Sequence, residues 1–205
     1  MPTVPTVLVT GFEPFGPHAS NPTAEAVALL PDLIAGARVV TAVLPVEYGR
    51  CADMALALID EHSPDAVVLT GLAAGRTAVT PERIGINVRD TGGVEGFADN
   101  AGLAPVDVPV VTGGPDGLFA TLPNRAIVTA LLAAGIPAEI SSTAGTYICN
   151  ETLYAVLHSV RSAPPPAPLV GFIHVPDTDV LPLTDITRAM TIAVEVTVAE
   201  LATAD

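Results

Sequence analysis

Residues Arg38 to Thr70 read RVVTAVLPVEYGRCADMALALIDEHSPDAVVLT, and their order decides the fold. Two short β-rich apolar runs, Arg38–Val43 and Ala66–Thr70, enclose a stretch, Val46–Glu61, of different periodicity. Within it Cys51, Met54, Ala55, Leu58 and Ile59 recur at i, i+3, i+4, i+7 and i+8, an apolar stripe on a helix. The flanking runs lack polar alternation and are bounded by turn signals, as strands buried on both faces are. Strand, helix, strand in succession implies a crossover connection and parallel pairing.

The same alternation extends outward. Further strands are expected at Thr6–Thr10, Ala138–Ser141 and Leu169–Ile173. Pro123–Ala134 opens with proline and stops at Gly135, the expected order of helix signals. Asn150–Arg161 carries Leu153, Val156, Leu157 and Val160 on one face, and Asp185–Leu201 follows Thr184 as an N-cap. The expectation is an α/β fold around a mostly parallel twisted sheet covered on both faces. Residues 1–205 suit a single domain, and the Pro-rich Ser162–Pro168 reads as a loop between helix and strand. Val79–Val111 breaks the alternation; its Gly, Asn, Asp and Pro predict a hairpin and long functional loops.

Composition narrows the function. Half of the residues are apolar, which excludes a disordered chain. Eight basic residues against 22 acidic ones, a net charge of −14, argue against nucleic acid and anionic membrane surfaces. No apolar stretch reaches the ~20 residues of a membrane span, and Met1–Thr6 has no secretory pattern. Two cysteines make no disulfide framework, so a cytoplasmic address is the default.

Ligands of such sheets bind beyond the carboxyl ends of the strands. Four unusual segments fall there: Phe12–Phe15, Gly71–Glu82, Ser141–Cys149 and His174. Cys149 lies between a glycine-containing loop and a helix start, where free N–H groups and the helix dipole lower a thiol's pKa and can hold an oxyanion. An inert buried cysteine is the plainer reading. His174 ends its strand, where it can serve a neighbouring nucleophile or be structural. Glu82 can orient that imidazole, or pair at the surface with Arg83. Cys51 belongs to a core face, and His18, His62 and His158 look superficial. No spacing suggests a metal site. The chain has only eight aromatic residues, yet Phe12 and Phe15 stand on one loop between glycines and prolines. They read as the wall of a slot for a small flat group, or as a plug over the core.

These motifs form a resemblance. Val9–Gly16 (VTGFEPFG) with Asn21-Pro22, Pro81-Glu82-Arg83, Ser142–Asn150 (STAGTYICN) and Gly171–Pro176 (GFIHVP) resemble, in order, the segments of pyroglutamyl peptidase I, a family of cysteine exopeptidases. The resemblance implies a three-layer α/β/α sandwich, no cofactor, and hydrolysis after an N-terminal pyroglutamyl residue. It implies Cys149 as nucleophile, His174 as base and then acid, and Glu82 orienting His174. It implies Phe12, Phe15, Leu72 and Ile148 as substrate-binding residues, pyroglutamylated peptides as partners, and a cytoplasmic homo-oligomer, often a tetramer. Gly92 stands where bacterial relatives usually carry Arg, with Arg89 the nearest basic substitute. Asp179 replaces a usual Pro in a shortened loop after His174, and Thr91–Asn100 diverges. Two other readings compete: a homologue that binds lactams without efficient turnover, and an unrelated α/β enzyme using the same edge. The missing phosphate-binding signature weakens a phosphorylase version of the latter.

Overall fold

A computed structural model describes residues 4–93, 97–162 and 166–204. Among the described residues eight strands are formed: β1 (Thr6–Phe12), β2 (Leu33–Ile34), β3 (Ala37–Leu44), β4 (Ala66–Leu72), β5 (Thr80–Pro81), β6 (Ile84–Ile86), β7 (Gly117–Phe119) and β8 (Leu169–Val175). The helices are α1 (Pro22–Ala28), α2 (Arg50–His62), α3 (Asn124–Ala133), α4 (Ile148–Ser162) and α5 (Leu183–Ala204). Six strands form one sheet in the order β2-β3-β1-β4-β8-β5, while β6 and β7 pair separately. The central neighbours β3, β1, β4 and β8 run parallel, and β2 and β5 are antiparallel additions at the two edges.

Alternating side chains divide the core into two layers. Val7 and Val9 of β1, Val68 of β4 and Ile173 of β8 pack with α1, α3 and α5. Leu8, Val67, Leu69, Val170 and Phe172 face the other way, onto α2 and α4. The result is the expected sandwich of helices, mostly parallel sheet and helices.

Three details differ from the sequence reading. Ala138–Ser141 is not a strand but a pair of isolated parallel bridges, Val79↔Ala138 and Glu82↔Ser141. The break has a simple cause. The Val79 N–H reaches the Pro137 carbonyl and the Arg83 N–H reaches that of Ser141, but Pro81 between them has no N–H to give. Next, α1 was not expected. Asn21 caps it by accepting from the Thr23 N–H, with Pro22 at its start, a pattern visible in the sequence but short. Last, the hairpin expected within Val79–Val111 is spread wider: β6 pairs with β7, beyond that range. A turn at Val111–Gly114 is closed by the Gly114 N–H on the Val111 carbonyl. The divergent 91–100 and the Pro-rich 162–168 fall partly outside the described residues.

Candidate active site

Three strand ends and one helix start converge at the carboxyl edge of the sheet. Phe12 closes β1, Leu72 closes β4, and His174 is the penultimate residue of β8, while Cys149 lies in the first turn of α4. His174 shares the period-two face of Val170 and Phe172, the face that α4 covers. Its register partner on β4 is Gly71. A Cβ on Gly71 would stand 3.0 Å from Cys149 Sγ and 2.8 Å from the Phe172 ring. The thiol therefore sits over the strand position whose missing side chain makes room for it, one strand away from His174.

Glu82 completes this group. β5 places Thr80 opposite His174, and the Glu82 N–H bonds the Phe172 carbonyl, so the chain delivers a fully buried carboxylate beside the imidazole. His174 Nδ1 and Glu82 Oε1 are 2.7 Å apart. An ionised carboxylate only accepts, so Nδ1 carries the proton and Nε2 keeps the lone pair. Glu82 has no ion pair with Arg83 among the described residues; its cation is Arg76, at 2.7 Å.

Burial dominates the electrostatics. Desolvation holds the His174 pKa below its ordinary value, against the hydrogen bond and charge of Glu82, which pull it upward. The imidazole is thereby neutral near pH 7 and able to accept a proton. The Cys149 thiol is pushed up to about 12, first by burial and then by the Glu82 charge; Arg76 and the residue's own N–H act in the opposite sense. The helix start favours the lowered thiol pKa expected from the sequence, and burial works against it.

Phe12, Phe15, Leu72 and Ile148 line one slot with Cys149, completed by Asn21, Val46 and Tyr147. Phe12 answers both sequence readings at once: it is 2% exposed within the core and it walls the slot. Phe15 is half-buried and stands 6.3 Å, ring to ring, from Tyr147. Cys51 is buried in the core, and His18, His62 and His158 are half-buried, the His18 ring lying 5.2 Å from that of Phe15. Among the described residues no group of three His, Cys, Asp or Glu is placed to hold a metal ion.

Several contributors escaped the sequence reading. Asn150 is fully buried and pins the start of α4 to β6: its Oδ1 accepts from the Ile86 N–H at 2.8 Å, and its Nδ2 donates to the Ile86 and Val88 carbonyls. Arg89 pairs at 2.7 Å with Glu151, a buried carboxylate that also accepts from the Gly49 N–H. The guanidinium that acts on Cys149 is that of Arg76, which sequence reasoning passed over. A polar residue straight after Cys149 was the visible signal for Asn150. Arg76 carried none, since its partners lie 6 and 67 positions away.

A cysteine at a helix start, a histidine held by a buried carboxylate and an apolar slot fit a cysteine hydrolase of the α/β class. The profile of the pyroglutamyl peptidase family matches residues 5–204. The pyrrolidone-carboxylate peptidase of Thermococcus onnurineus is 50% identical over 83% of this chain and 82% of its own. That of Levilactobacillus brevis is 43% identical over 92% and 95%. The crystal structure of pyroglutamyl peptidase I from Bacillus amyloliquefaciens superposes with a TM-score of 0.88 at 33% identity, covering 95% of both chains. The chain belongs to the pyroglutamyl peptidase family of cysteine peptidases, whose activity is removal of N-terminal pyroglutamate. Among the described residues no helix is long and apolar enough to cross a membrane.

Proposed function

We propose that Cys149 attacks the pyroglutamyl carbonyl, with His174 as base and then acid and Glu82 orienting His174. The observation that carries this reading is the Glu82–His174 contact on the strand neighbour of the glycine under Cys149. As the Sγ–carbon bond forms, the thiol proton passes to His174 Nε2. The imidazolium then protonates the leaving amine as the amide bond breaks, giving an acyl-enzyme. Water, deprotonated by the same Nε2, cleaves the thioester and releases pyroglutamate. The first-turn N–H groups of α4 have no acceptors within their helix and suit the oxyanion.

The slot explains the ring. Pyroglutamate is a neutral, flat five-membered lactam whose faces match Phe12, Phe15, Leu72 and Ile148, while its N–H and C=O are read by polar backbone groups. A site that bonds a buried substrate N–H discriminates strongly against analogues lacking it. The same reading takes residues 1–205 as one catalytic domain working as a cytoplasmic homo-oligomer. Two free thiols support a reducing compartment, and sedimentation reads the subunit number. Cys149→Ala is expected to cut turnover of a pyroglutamyl anilide at least about 10³-fold with the fold retained; persisting turnover would overturn the assignment.

A further inference from the structure

Arg76, in the loop between β4 and β5, touches both halves of the site. Its Nη1 donates to Glu82 Oε1 at 2.7 Å and to the Thr80 hydroxyl. Its Nη2 donates to the Thr143 carbonyl at 3.1 Å. Glu82 Oε1 is the atom that also receives the His174 Nδ1–H. Thr143 belongs to the loop that runs into Cys149. Within residues 142–145 the other described hydrogen bonds are local: Thr143 with Ser141, and the Gly145 N–H with the Thr143 hydroxyl. One guanidinium thus supplies the only described long-range hydrogen bond of that stretch and the only described ion pair of Glu82 with an arginine.

We propose that Arg76 is a positioning residue that fixes the nucleophile loop against the Glu82–His174 pair, so that both sides of the site are set by one side chain. The proposal rests on the roles given above to Cys149, His174 and Glu82. A planar fork can serve two acceptors from separate segments; a lysine ammonium supplies the charge without that geometry. Glu82 is met by His174 from β8 and by Arg76 from its loop, and its charge acts on Cys149 of α4, while the neutral Asn124 amide of α3 holds its backbone carbonyl. The Arg76 charge acts downward on both His174 and Cys149.

Two effects of Arg76 are therefore separable. In Arg76→Met both limbs of the pH profile of kcat/KM are expected to move to higher pH, by at least about half a unit, because a cation facing both groups is gone. In Arg76→Lys the limbs return toward their original positions, but kcat stays about tenfold down because the Thr143 carbonyl is no longer held. In a Glu82→Gln background, Arg76→Met should cost much less than it does alone. Unmoved limbs in Arg76→Met, full kcat in Arg76→Lys, or equal losses with and without Glu82 would each overturn the proposal. If Arg76→Met does not fold, Arg76→Lys decides by its kcat. Turnover retained by Cys149→Ala would strike the underlying reading instead, whatever the limbs do.

Discussion

Gly71 shows what a single missing methyl accomplishes. Its ideal Cβ would meet the Phe172 ring at 2.8 Å and Cys149 Sγ at 3.0 Å, and the fully buried Phe172 ring has no free direction in a close-packed core. Gly71→Ala should cost about 1–3 kcal/mol by overpacking, read as a urea midpoint. It should also cut kcat about 10²-fold by displacing Cys149, since small misplacements near reacting atoms carry large rate penalties. Phe15 tests the slot with less damage than Phe12, which is core as well as wall. Phe15→Ala should raise KM about tenfold while kcat changes little, the signature of lost uniform binding. At this scale the sequence exposed Cys149, His174 and Glu82, because their chemistry is rare at strand ends and loop starts. It hid Gly71 and Arg76, whose importance lies in what stands opposite them and not in their own types.

Elements were legible where burial enforces a period. The parallel strands β1, β3, β4 and β8 and the helices α2 to α5 all appeared with boundaries shifted by a few residues, because each must bury a face. The edges were not. Pairing there depends on individual N–H groups, and Pro81 removes the one that would have joined 137–141 into a strand. The start of α4 shows an element fixed by polar contacts instead of apolar ones. Asn150 ties it to β6, and the buried Glu151 ties it to Arg89 and to the Gly49 N–H. Desolvation raises the Glu151 pKa, with Arg89 the main opposing influence. Arg89→Met would leave that carboxylate buried without its cation. The arginine is a quarter exposed, so the expected loss is about 2 kcal/mol, below the range for fully buried pairs. Equal urea midpoints for the two proteins would show that the pair does not hold the helix start.

The molecule as a whole carries a net charge of −14, and its eight basic residues are all arginines. Arginine does not deprotonate in proteins, so no lysine contributes to the alkaline titration of its side chains. Between pH 7 and 9.5 the remaining groups of interest are the two thiols, because the tyrosines ionise later: burial raises Tyr48, Tyr147 and Tyr154 above their ordinary value. Burial, followed by the Glu151 charge, pushes Cys51 well above the ordinary thiol range, and Cys149 goes to about 12. A raised thiol contributes stability that is fully present below its unfolded pKa and is lost as pH climbs toward the folded one. His174 works from the other side: its lowered pKa gives stability present above about 6.5 and lost as pH falls. For these groups the fold should be firmest between about pH 6.5 and 8.5. Cys51 is fully buried and outside the site, so it isolates the alkaline side cleanly. At pH 9.5 the unfolded thiol, with a pKa of about 8.5, gains about 1.4 kcal/mol by ionising where the folded one does not. Cys51→Ala begins from a lower midpoint because of the small cavity it leaves, but its decline from pH 7 to 9.5 should be shallower by that amount. Parallel declines for the two proteins in urea melts would mean that the buried thiol is not what limits the protein in alkali.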